Sequence, residues 1–349
     1  MTSRRVVAFG GGHGLSASLR ALRHCAPELD LDITAVVTVG DDGGSSGRLR
    51  AERGGLPPGD LRQALVALAG DHPATRRSAG LFQHRFAAAT VGVHQLGEGG
   101  PGPAAIDGTG GPGGGGAASV DGLAGHAVGN LVICGLMELL GDPVAALEHA
   151  GAMLGTVGRV LPMSRQPVGI EARVRGVDPA APDEVRTVRG QHQVAVTTGR
   201  VESLRLTPAA PAACAEALAA IGAADWLIFG PGSWYTSVLP HLLVPQLADA
   251  IVSSPARRLV TLNLAAEKET LGLSVADHLA ALRWHLPELK VDLVLADALA
   301  VGDPEPVERA AESLGARLVL APVAVVDGTP RHDPAALGAA LVPVLGADR

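Results

Sequence analysis

The sequence predicts an α/β fold: a mostly parallel sheet with helices on both faces. Three observations carry that expectation. Short β-branched runs alternate with Ala- and Leu-rich stretches of helical period. The runs are apolar almost throughout, as strands covered on both faces must be. Two of them empty directly into glycine-rich bends that pass into helical patterns.

Strands are expected at 5–9, 33–39, 226–229, 258–263, 291–296 and 317–320, where Val, Ile, Leu and Phe crowd together. Helices are expected at 15–24, 60–69, 126–140, 144–154, 211–222, 234–252, 275–284 and 305–314, where Ala and Leu recur at helical spacing. Segment 157–206 reads differently. Its pieces "GIEARVRG", "RTVRG", "QVAVTT" and "VESLRLT" alternate apolar with polar residues, the pattern of a small antiparallel excursion. Residues 97–116, "GEGGPGPAAIDGTGGPGGGG", are low in complexity and read as a flexible surface insertion, too poor in apolar surface to offset its ordering entropy. Its two flanks look like parts of one unit, so a single domain over 1–349 is expected.

Composition narrows the partners. A formal net charge of −7, with one Tyr and three Trp, argues against a nucleic-acid platform, which needs clustered cations and exposed aromatics. Cys25, Cys134 and Cys214 lie far apart without metal-ligand spacing, so reduced thiols are expected. No apolar stretch reaches the ~18 residues of a membrane span. Arg4-Arg5 lead straight into "VVAFGGG" without an export signal, and the expectation is a soluble, cytoplasmic protein.

The chemistry gathers at turns. In "VVAFGGGHGLSASLRAL" a strand runs through glycines into a helix, whose free N–H groups and dipole favour an anion. Gly12, Gly14 and Ala17 satisfy G-x-G-x-x-A, the permissive dinucleotide fingerprint, whereas the Gly-Lys-Ser/Thr of a Walker loop is missing. His13 either contacts a ligand or caps the turn. The second strand ends at Asp41-Asp42, placed either to accept a ribose hydroxyl or to hold Mg²⁺ near a phosphate. In "LPPGDLRQAL", Asp60 suits an N-cap and Arg62 lies within reach of an anion. A second glycine turn, "WLIFGPGSWYTS", adds the hydroxyls of Ser233, Tyr235, Thr236 and Ser237. "GHAVGNLVICGL" offers His126 and Asn130 at i, i+4, on one helical face or as a packing motif. "NLAAEKET" brings Asn263, Glu267, Glu269 and Thr270 to the same sheet edge, and "GTPRHDP" supplies Arg331, whose planar fork suits a diphosphate. No GxSxG elbow, HExxH or paired cysteine accompanies them. The chain therefore reads as a phosphate-ligand binder first and an enzyme second.

Taken in order, "GGGHGL", "VVTVGDDGGSSGRLR", "LPPGDLRQALVALA", "FQHRF", "GHAVGNLVI", "GPGSWYTSVLPHLLV" and "RHDP" resemble the gluconeogenesis-factor (YvcK-like) family. Those are UDP-N-acetylglucosamine-binding regulators distantly related to 2-phospho-L-lactate transferase (CofD). The resemblance spans nearly the whole chain apart from the glycine insert. It implies a Rossmann-like fold holding a nucleotide between the two glycine loops, with Gly11, Gly12, His13, Gly14, Leu15, Asp41, Asp42, Asn130, Gly230, Gly232, Ser233 and Arg331 facing it. Tyr235, Thr236, Asn263 and Glu269 complete the candidate nucleotide-binding set. It further implies a cytoplasmic role in adapting cell envelope and shape to carbon source, with a protein partner to receive the signal; a homodimer is compatible with it. Two stretches depart from the family: His13 stands where Thr is usual, and "EKET" (Glu267–Thr270) replaces Q-x-G-E-T. The alternative is a transferase of the CofD type, with Asp41 and Asp42 as metal-holding catalytic residues and Mg²⁺ as the cofactor. A nicotinamide oxidoreductase fits poorly, because no His–Asp or Tyr–Lys pair is in evidence.

Overall fold

The structure, a computed structural model, describes residues 3–87 and 121–347; the glycine-rich 97–116 lies outside them. Ten strands form: β1 (Arg4–Gly10), β2 (Leu31–Val37), β3 (Gly158–Pro162), β4 (Gly169–Arg175), β5 (Val185–Arg189), β6 (Arg200–Thr207), β7 (Trp226–Phe229), β8 (Arg257–Thr261), β9 (Leu293–Asp297) and β10 (Arg317–Ala321). Seven of them make one sheet in the order β10-β9-β8-β7-β1-β2-β3, parallel at every pairing. The α/β fold is the expected one.

Strand order fixes where a ligand can enter. From β1 the chain winds outward through β2 to β3 on one side, while β7 to β10 wind outward on the other. The reversal falls between β1 and β7, and a sheet that reverses direction leaves a crevice at the carboxyl ends of the two strands. Beneath the crevice, Phe9 and Phe229 lie opposite each other in register and stack with centroids 4.8 Å apart. His241 meets Phe9 edge-on and holds the Val36 carbonyl through Nε2 at 3.0 Å. Burial pushes its pKa down to about 4. The floor of the site is thus rigid and apolar.

The excursion at 157–206 differs from expectation in two ways. Its first stretch is β3, which joins the main sheet beside β2; only β5-β4-β6 form the separate antiparallel sheet. "QVAVTT" forms no strand but a short helix, Gln191–Val196, after Gly190 at φ +94°. Alternation over so few residues fits one helical turn as well as a strand. The helix expected at 234–252 is also broken, into a π-type turn (Trp234–Val238), a 3₁₀ turn (Leu239–Leu243) and an α-helix (Pro245–Ser253). Pro240 and Pro245 lack the N–H groups a continuous helix would use. Helices at Gly44–Arg53, Pro73–Gln83 and Pro334–Gly346 were not foreseen, since the first two are polar and the third is apolar without a clear period.

Candidate functional site

Several chain segments converge on the crevice and enclose a cleft of about 1130 Å³. The first is the turn after β1. Helix Gly12–Leu29 begins there with no side-chain cap on Gly11, and its Gly12 N–H is turned toward the Asp60 carboxyl. Gly12 adopts φ +56°, and a Cβ on Gly11 would run into Thr38 Oγ1 and Asp60. Gly14 is dictated by something other than a ligand: a Cβ there would overlap the Pro231 carbonyl and the Gly232 backbone. The two glycine loops pack backbone to backbone. Leu15 turns into the core, buried at 1% exposure.

The second loop bonds its own neighbours. Gly232 N–H donates to Asn263 Oδ1 at 2.8 Å, and Asn263 Nδ2 returns a bond to the Gly232 carbonyl at 2.9 Å. Tyr235 N–H donates to Glu269 Oε1 at 2.8 Å, and the Ser233 hydroxyl donates to Glu267. Pro231 has no N–H to offer. The donors expected to hold phosphate are therefore largely taken by the chain's own acceptors. Gly230, at φ +75°, has the Thr261 carbonyl where a Cβ would stand. Glu269 is buried, and burial raises its pKa to about 7. Gly232, Ser233, Thr236 and Asn263 line the cleft; Tyr235 and Glu269 lie behind it.

The third segment follows β2. Asp41 lines the cleft and accepts from Gly43 N–H at 3.0 Å. Its neighbour Asp42 points the other way and accepts from His192 N–H at 2.8 Å, so its carboxylate seats the start of helix Gln191–Val196. The adjacent acids thus accept from different backbone N–H groups. Asp60 comes to Asp41 instead. It sits in the first turn of helix Pro58–Ala67 but is not its cap, a place taken by Pro57. Its carboxyl accepts from Thr38 Oγ1 at 3.0 Å beneath the first glycine loop. Burial, and then the charge of Asp41, push its pKa up to about 7.

Cations face these acids. Arg20, Arg62, Arg85 and Arg331 all line the cleft. Arg62 is buried and donates through Nε to Asn130 Oδ1 at 2.8 Å and through Nη1 to Gln83. Burial lowers its pKa to about 10, leaving it charged. Asn130 passes the contact on to Ser45 Oγ at 3.0 Å, and Ser45 bonds His126 Nδ1 at 2.9 Å. Asn130 therefore positions Arg62 from behind the wall. The Ser45–His126 pair lies off the cleft too, and burial lowers the histidine pKa. Arg331 is held at the rim by Asp327 at 2.8 Å. His13 also lines the cleft.

Arg20, Gln191 and His192 line the cleft in addition to the residues named from the sequence. Arg20 lies two turns beyond His13 on the same helix face, a spacing that was there to be used. Gln191 and His192 belong to the fourth segment, supplied by the small antiparallel sheet, and no local pattern links them to the glycine loops. Among the described residues, no group of three His, Cys, Asp or Glu gathers as a metal centre. None of their helices is long and apolar enough to cross a membrane.

Comparison with known proteins places the chain in a family. The family model described as 2-phospho-L-lactate transferase CofD matches residues 6–318. The chain belongs to the CofD family. Within it, the chain is 47% identical to a Mycobacterium tuberculosis protein whose name places it among gluconeogenesis factors, over 98% of this chain and 91% of that one. It is 33% identical to the gluconeogenesis factor of Bacillus subtilis, covering 90% of this chain and 84% of the relative. A crystal structure of a Bacillus halodurans protein superposes with a TM-score of 0.77 at 31% identity, covering 98% of this chain and 99% of that one. The chain is thus a CofD-family member similar to gluconeogenesis factors along nearly its whole length.

Proposed function

We propose that this chain is a regulatory protein of the gluconeogenesis-factor type whose cleft binds a nucleotide-sugar of the UDP-N-acetylglucosamine class. On this reading it serves the adaptation of cell envelope and shape to carbon source. The supporting observation is the polarity of the cleft. The uncapped start of helix Gly12–Leu29 and the arginines Arg20, Arg62, Arg85 and Arg331 make one side suited to a diphosphate. The second loop, with Glu267 and Asn263, presents acceptors suited to sugar or ribose hydroxyls. A thermal-shift titration tests it. At a hundred times its dissociation constant, UDP-N-acetylglucosamine stabilises the fold by about 2.7 kcal/mol. An unmoved melting temperature with that ligand, alongside a rise with another nucleotide, overturns the ligand assignment.

One observation favours a second reading, a phospho-group transferase using Mg²⁺. Asp41 raises the pKa of Asp60, so two carboxylates stand close enough to repel beside a phosphate loop. Mg²⁺ commonly takes one or two carboxylates plus phosphate oxygens, and Asp41 with Asp60 meets that donor set. Bound there, the ion would neutralise charge on a transferring group. A Mg²⁺-dependent turnover of a nucleotide-linked phospho-substrate, lost in Asp41→Asn, would decide for this reading.

A further inference from the structure

The antiparallel sheet β5-β4-β6 buries one face and, among the described residues, leaves the other uncovered. Ile170, Ala172, Val174, Leu204 and Leu206 point into the core. The alternate positions point outward, and register places them side by side. Across the middle row, Arg173 stands between Thr187 and Ser203. In the row on one side, Glu171 stands between Arg189 and Arg205 and bonds both, at 3.0 and 3.2 Å. In the row on the other side, Arg175 stands directly opposite Arg200. Like charges in directly opposed positions destabilise a strand pair. Glu202 relieves only Arg175, at 2.6 Å.

Five arginines therefore meet two carboxylates on one face, in a chain whose formal net charge is −7. Arg173, at the centre, has neither ion pair nor hydrogen bond among the described residues, and hydroxyls flank it on both sides. We infer that this face is the docking surface for an acidic polypeptide segment of a partner protein. An extended segment repeats its side chains on one side every ~7 Å, which matches the rise from Arg173 to Arg175 along β4. The outward rows carry no aromatic ring on which a base would stack, and Val185, beside Arg175, is their one apolar side chain larger than glycine, too little to enter a bilayer.

The test uses the full chain and a short fluorescein-labelled peptide alternating Glu and Ser, read by anisotropy. The wild type binds it, with an affinity that falls as salt is raised. Arg173→Glu weakens binding by about tenfold or more, and Arg173→Gln by less, while both keep the wild-type melting temperature and its nucleotide response. Arg200→Glu, at the edge of the face, is the second variant should Arg173→Glu not fold. Equal peptide affinity in wild type and a folded charge-reversed variant overturns the inference. So does tighter binding of duplex DNA or phosphatidylserine vesicles than of the peptide. Sedimentation showing a wild-type dimer that becomes monomeric in Arg173→Glu also overturns it, since a second copy would then be the occupant.

Discussion

Gly14 illustrates how a residue chosen for a ligand motif can be fixed by packing. Its side-chain space is filled by the Pro231 carbonyl and Gly232, which are backbone and cannot swing aside. Gly14→Ala should therefore destabilise the protein by about 1–3 kcal/mol, as overpacking does, read from urea unfolding. Asp60 makes a prediction of another kind. Its ordinary pKa of 3.8 is raised to about 7 in the folded state, chiefly by burial. Between those values the folded protein keeps a proton that the unfolded chain releases. The stability this lends is complete below about pH 4 and is lost as pH rises through about 7. Asp60→Asn, fixed in a neutral form, should flatten the fall in urea midpoint across that window. It will not abolish the fall, because buried Glu269 titrates in the same sense at about 7. An unaltered slope in Asp60→Asn would show that the carboxyl is already ionised in the native state.

At the scale of elements, what was legible depended on how local the cause was. β1 and β7, with their glycine exits, could be read because burial on both faces and a strand-to-helix turn each leave a contiguous mark. The broken segment after Ser233 could not, because its apolar residues keep a helical period while two prolines and the packing on the first loop divide it. Helix Gln191–Val196 was hidden for a different reason. Its place depends on Asp42, 150 residues earlier, whose carboxylate accepts from His192 N–H. The same distance hid Gln191 and His192 as cleft residues, and hid Asp42's own engagement away from Asp41. Removing that anchor has a measurable outcome. In Asp42→Ala, amide exchange over 190–196 should accelerate by about fivefold, in keeping with ~1 kcal/mol for a lost terminal acceptor, while β1 and β7 exchange as before.

For the whole molecule, the sheet order explains why so many motifs dispersed along the sequence share one cleft. The reversal between β1 and β7 brings their carboxyl ends together, and β2 delivers the acidic turn beside them. The nucleotide-sugar titration therefore probes the fold as a whole, since it requires all these ends to be in place at once. The acidic-peptide experiment probes the far side of the small sheet. The three cysteines take no part: Cys25 and Cys214 are buried, and all three are free thiols.

The small sheet does more than cover an edge. It sends Gln191 and His192 into the cleft and turns its arginines to the outside, so one rigid piece has an inner and an outer contact. Where ligand entry reseats the inner contact and the outer face binds its partner differently in the two seatings, linkage changes both affinities by the same factor. A chain with no chemistry of its own to perform would still have a means of reporting that its cleft is full.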